Sequence, residues 1–96
     1  MASPAPDPQY KIQASRVARK GLADLPPRKR EAVKRFIQHQ LAANPLQRVP
    51  GKTKQLKGAY KGFLQYDVDD NYRIIYFVDK TKMVVYLDYI GPHPKW

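Results

Sequence analysis

The chain has 96 residues, with 18 Lys/Arg against 8 Asp/Glu for a net charge of +10, and no cysteine. That length makes one domain, and the missing cysteine excludes disulfide staples, thiolate zinc sites and a cysteine nucleophile. The longest apolar run, about five residues, is far short of the roughly twenty that span a bilayer, so no membrane partner is expected.

The charge is concentrated. Residues 16–61 hold thirteen Lys/Arg against Asp24 and Glu31, a net of +11. Such a block attracts polyanions, and nucleic-acid backbone is the first to consider. A solvated basic face with no partner is the plainer alternative.

Residues 1–9, with three prolines and neither a basic nor an apolar signal region, read as a disordered leader and not a secretory signal. Tyr10 to Ala14 alternates apolar and polar and predicts a short strand. Ser15 is a fitting N-cap for a helix carrying Val17, Ala18, Leu22 and Leu25. Gly21 inside that helix costs about 1 kcal/mol against alanine, which points to a weak or closely packed turn. Pro26-Pro27 separates it from a second helix reaching Ala43, with Val33, Phe36, Ile37, Gln40 and Leu41 on one face and His39 opposite, on the surface. Residues 46–57 read as a long basic connector with Arg48, Lys52, Lys54 and Lys57.

Three strands follow, at 63–68, 72–78 and 83–90, joined by short turns at 69–71 and 79–82, so they form an antiparallel meander. The expected fold is α+β, with both helices on one face of a small, mainly antiparallel four-stranded sheet. The opposite face is left for a ligand.

Period-two geometry puts Tyr72, Ile74, Tyr76 and Val78 on one face of the middle strand, and Arg73, Ile75, Phe77 and Asp79 on the other. An arginine among such neighbours is either a phosphate ligand or paired with Asp67 or Asp88. His93 follows the last strand between Pro92 and Pro94, and the chain leaving at Gly91 is expected to cross back over Arg73's face. An imidazole there suits proton transfer, although a near-terminal histidine can be merely exposed. Trp96 offers a hydrophobic plug or, beside Lys95, a stacking surface for a base, and Tyr60, Tyr66 and Tyr89 are further stacking candidates. No Gly-rich phosphate loop, metal-ligand spacing or Ser/His/Asp set is present, so no cofactor or metal is expected.

The order of elements, with "LADLPPRKREAVKRFIQHQLAANP", "KQLKGAYKGFLQYDVDDNYRIIYFVD" and "VVYLDYIGPHPKW", resembles the RelE/ParE toxin superfamily over residues 10–96. Its most specific part runs from Leu56 to His93. The resemblance implies a RelE-like microbial ribonuclease-type fold and the cytoplasmic toxin of a type II toxin–antitoxin pair, neutralised by a co-expressed antitoxin. The RelE-like branch cleaves mRNA in the ribosomal A site through the 2′-hydroxyl of one nucleotide, arresting translation and growth. The ParE-like branch inhibits DNA gyrase, and a catalytically inactive RNA-binding protein is a further alternative.

By the resemblance, Arg73 contacts the scissile phosphate and His93 is the second catalytic residue, donating to the leaving 5′-oxygen. Lys52, Lys54 and Lys57, with Lys61, Lys95 and Trp96, bind RNA. Some relatives have a glutamate base close to the position of Lys54 and a tyrosine in the C-terminal tail, where this chain ends at Trp96.

Overall fold

The computed structural model describes residues 9–93. Most of the proline-rich leader, together with Lys95 and Trp96, lies outside the described residues. The elements are β1 (Lys11–Ala14), α1 (Arg16–Asp24), α2 (Pro27–Arg35), β2 (Thr53–Gln55), β3 (Leu64–Asp67), β4 (Tyr72–Asp79) and β5 (Val84–Pro92). They form one five-stranded sheet in the order β1-β5-β4-β3-β2. β1 runs parallel to β5, and the other neighbours are antiparallel.

Two expectations are corrected here. The sheet has five strands and not four, because Thr53–Gln55 in the basic connector pairs with β3 as an edge strand. Its three residues carry no apolar alternation, so only the partner strand defines them. The helices also do not both lie flat on one face. Ser15 donates from its backbone N–H to the Leu87 carbonyl at 3.0 Å and from Oγ to the Asp88 carbonyl at 2.9 Å, so α1 sets off against β5, where β1 stops. The same Oγ accepts from the Ala18 N–H at 3.0 Å, which is the expected N-cap.

Helix α2 starts at Pro27, where a missing N–H costs nothing. It continues beyond Arg35 as a π-wound turn, Phe36–Leu41. Its inner side supplies Val33 and Leu41, both buried with Ala18, Leu25, Leu64, Ile74, Tyr76, Val85, Leu87 and Ile90 in a single core. Phe36 stacks on Tyr66 of β3 with ring centroids 3.7 Å apart, which fixes α2 over that side of the sheet.

The middle strand divides only in part as its periodicity requires, since Ile75 on Arg73's face is also buried. Ile74 and Tyr76 are wholly buried under the helices, whereas Phe77 on the other face is exposed. A bulge between Ile75 and Tyr76 shifts the register against β5, so Ile75 pairs with Tyr89 and Tyr76 with Leu87. At the β3–β4 turn the Asp69 carboxylate accepts from the Asn71 and Tyr72 amides and pairs with Lys29 of α2. The Lys29 bond, acting against the cost of burial and helped by the two amides, holds this carboxyl below its ordinary value of 3.8. Its contribution to stability is therefore complete above that value and is lost as pH falls through the lower folded one. No helix among the described residues is long and apolar enough to cross a membrane.

Candidate nucleic-acid interface

Strand register gathers the polar residues of the open face. Arg73 lies opposite Asp67 on β3 and Gly91 on β5, and Gln65 lies opposite Ile75 on β4 and Lys54 on β2. Arg73 Nη1 donates to Gln65 Oε1 at 3.1 Å, and the guanidinium sits 5.4 Å from the centroid of the Tyr89 ring. Among the described residues Arg73 has no ion pair, and its Nε is buried without an acceptor. Of the two sequence readings, the ion pair with Asp67 or Asp88 is thus not formed. A fork of five donors meeting one neutral acceptor retains its capacity for an anion.

Arg73 borders a groove of about 690 Å³ walled by Leu56, Lys57, Tyr60, Ile75 and Tyr89. Ser15, Val17 and Asp88 close its far side. Tyr60 is half exposed, so the groove offers a cationic end beside aromatic faces. Phosphate and stacked base need those two surfaces side by side.

His93 does not reach this face by crossing over it. Strand β5 continues through Pro92, opposite Tyr72, and the His93 N–H donates to the Asn71 carbonyl at 2.9 Å. The imidazole is held at the end of the sheet, with Nε2 3.5 Å from Asp67 Oδ1 and 3.4 Å from the Asp69 carbonyl oxygen. Asp67 links it to the arginine, because Gln65 Nε2 donates to Asp67 Oδ1 at 2.8 Å. Burial works to raise the Asp67 carboxyl, but the bonds from Gln65 and Lys54, with the charges of Lys54 and His93, hold it below its ordinary value. The two residues expected to be catalytic therefore belong to one network, Arg73–Gln65–Asp67–His93.

Gln65 is the member that sequence reasoning missed. It is 6% exposed and satisfied at both ends of its amide. Period two along β3 places it on Arg73's side, and that was the one available signal, since a neutral amide carries no charge pattern.

The connector lysines divide into two kinds. Lys52 Nζ donates to the Val68 carbonyl at 3.0 Å and lies 5.5 Å from the Tyr66 centroid, so it fastens the connector to the sheet. Lys54 Nζ pairs with Asp67 Oδ2 at 3.1 Å. Lys57 and Lys61 are exposed around a neighbouring recess with Gln55 and Gly58, and neither has an ion pair among the described residues. Replacing either with Gln should lower the salt slope of nucleic-acid binding by roughly one unit, whereas Lys52→Gln should mainly lower stability. Affinities measured across a salt series decide it. An unchanged slope in the Lys57/Lys61 double variant leaves the charge block a solubility device.

No protein-family model and no curated protein matches this chain. Solved structures do. The toxin–antitoxin complex RelBE2 from Mycobacterium tuberculosis is 26% identical with a TM-score of 0.72, over 88% of this chain and 99% of that chain. The archaeal RelE–RelB complex from Pyrococcus horikoshii is 22% identical with a TM-score of 0.72, over 91% of this chain and 98% of the other. A YoeB/ParE toxin from Agrobacterium tumefaciens reaches a TM-score of 0.75 at 17% identity, over 88% and 99%. The likeness spans nearly the whole of each of these chains.

Proposed function

We propose that the chain, which shares the fold of the RelE and YoeB/ParE toxins it resembles, is a member of the RelE/ParE toxin superfamily and the toxin of a type II toxin–antitoxin pair that cleaves mRNA in the ribosomal A site. The observation that carries the reading is Arg73, an arginine without an anionic partner on the open sheet face, joined to His93 through Gln65 and Asp67. Cytoplasm is where such a protein meets its ribosome, and a co-expressed antitoxin is its partner, as in the RelBE2 and RelE–RelB complexes.

In the proposed reaction the 2′-oxygen attacks the adjacent phosphorus, and charge grows on the non-bridging oxygens. Arg73 faces that charge with donors already aimed, and Lys57 adds to it, an electrostatic contribution worth several kcal/mol in a site shielded from water. His93 makes a proton transfer, the most direct being donation to the leaving 5′-oxygen. Alignment of the 2′-hydroxyl with the phosphate is left to the ribosome, which makes so sparse a site sufficient.

The test is inducible expression of the wild type and of Arg73→Ala, with 5′ ends of cellular transcripts mapped. Wild type should cut inside translated codons and arrest growth. Arg73→Ala should do neither while staying folded, with a melt only several degrees lower, since the arginine contributes one side-chain hydrogen bond, to Gln65, and a contact with the Tyr89 ring. Intact mRNA with DNA-damage signalling turns the reading to gyrase inhibition. A much earlier melt for Arg73→Ala makes the arginine structural.

A further inference from the structure

A neutral imidazole has one N–H and one lone pair, and its partners decide which nitrogen holds the proton. His93 Nε2 faces two groups that only accept, Asp67 Oδ1 at 3.5 Å and the Asp69 carbonyl oxygen at 3.4 Å. The Asp67 carboxylate is fixed as an acceptor, because Oδ1 takes the Gln65 amide at 2.8 Å and Oδ2 takes Lys54 at 3.1 Å. The His93 amide is bonded to the Asn71 carbonyl at 2.9 Å, which fixes the backbone from which the ring projects.

We infer that Asp67 is a positioning residue which, with the Asp69 carbonyl, keeps a proton on His93 Nε2 and leaves Nδ1 as the atom that exchanges a proton with the substrate. The inference rests on the mRNA-cleavage reading and deepens it. In the step, the 2′-oxygen forms a bond to phosphorus and its proton leaves to water. The P–O5′ bond breaks with its electron pair on O5′, and the proton on Nδ1 of the imidazolium moves to O5′. The ring left behind is the neutral Nε2–H form, whose proton already faces the Asp69 carbonyl and the Asp67 carboxylate, so no rearrangement of the site is required. Water then returns a proton to Nδ1.

The same arrangement explains why an aspartate is tolerated next to a phosphate site. An ionised carboxylate would repel the substrate, but Lys54 neutralises one oxygen and Gln65 turns the other's field toward Arg73. Lys54 thus pairs with the carboxylate while most of its side chain stays exposed.

The experiment uses the full chain labelled with nitrogen-15. It contains only two histidines, His39 and His93, and His39 is exposed and serves as the internal reference. Imidazole nitrogen shifts are recorded across a pH series and read on the alkaline plateau, where they no longer change. Wild-type His93 should show the Nε2–H tautomer. Asp67→Ala removes the charged acceptor beside Nε2 and leaves the Asp69 carbonyl, so the Nε2–H fraction should fall toward that of His39, with cleavage of ribosome-bound mRNA lowered about 10²-fold and KM little changed.

A wild-type spectrum of the Nδ1–H form overturns the inference, even if Asp67→Ala fails to fold. So does an Asp67→Ala protein that keeps the wild-type Nε2–H fraction or cleaves at the wild-type rate. A tautomer that shifts as described in a chain whose wild type leaves mRNA intact supports the positioning and removes the cleavage reading instead.

Discussion

Gly21→Ala should destabilise the domain by more than about 3 kcal/mol, at or beyond the upper end of ordinary overpacking. A Cβ built on Gly21 would stand 1.6 Å from the Ile90 carbonyl oxygen and 2.8 Å from its carbon. That oxygen belongs to the backbone of β5, so no rotamer change relieves the clash, and α1 has to withdraw as a body. Withdrawal uncovers Ala18 and Ile90, which are 0% and 2% exposed. In an open helix the same substitution would stabilise by about 1 kcal/mol, so the sign of the effect separates close packing from intrinsic propensity. A thermal melt reads it directly, with an expected fall of at least about 12 °C for a domain of this size. A melting temperature at or above the wild type would mean that α1 does not lie against β5 as described.

Gly21 also shows how far the sequence could be read. Its cost within a helical pattern pointed to a weak or closely packed turn, and the Ile90 contact decides for the second. Local signals were legible where one element defines itself. The Ser15 cap, the Asp69 turn and the two faces of β4 all follow from period and side-chain chemistry. Features defined by a partner were not legible. β2 exists because β3 is beside it, β1 is parallel because of where β5 ends up, and the bulge at Ile75/Tyr76 appears only in the pairing. The π-wound turn at Phe36–Leu41 has no proline or glycine to announce it. At the site, Arg73 and His93 were visible because charge and imidazole stand out among β-formers. Gln65 and the commitment of Lys54 to Asp67 were hidden, since both depend on a register that joins three strands.

His93→Gln should lower cleavage of ribosome-bound mRNA by about 10²- to 10⁴-fold while leaving ribosome binding nearly unchanged, the range for a lost acid or base. Glutamine keeps a polar end of similar reach but has no proton to give at neutral pH. The fold has little reason to fail. The bond to the Asn71 carbonyl comes from the main chain, and Asp67 keeps its partners Gln65 and Lys54. Nor should affinity fall far, because in the proposed function the charge facing RNA comes from Arg73, Lys57 and Lys61 and not from the imidazole. Single-turnover cleavage on programmed ribosomes, with binding measured in parallel, separates the two quantities. Wild-type cleavage in the variant would move the proton transfer to another group. Lys57 is then the first candidate, because the Tyr89 hydroxyl is already donating to the Pro92 carbonyl at 2.8 Å and Lys54 is held by Asp67. Binding that collapses together with cleavage would make His93 a contact residue, and the proton would have to be sought elsewhere on the open face.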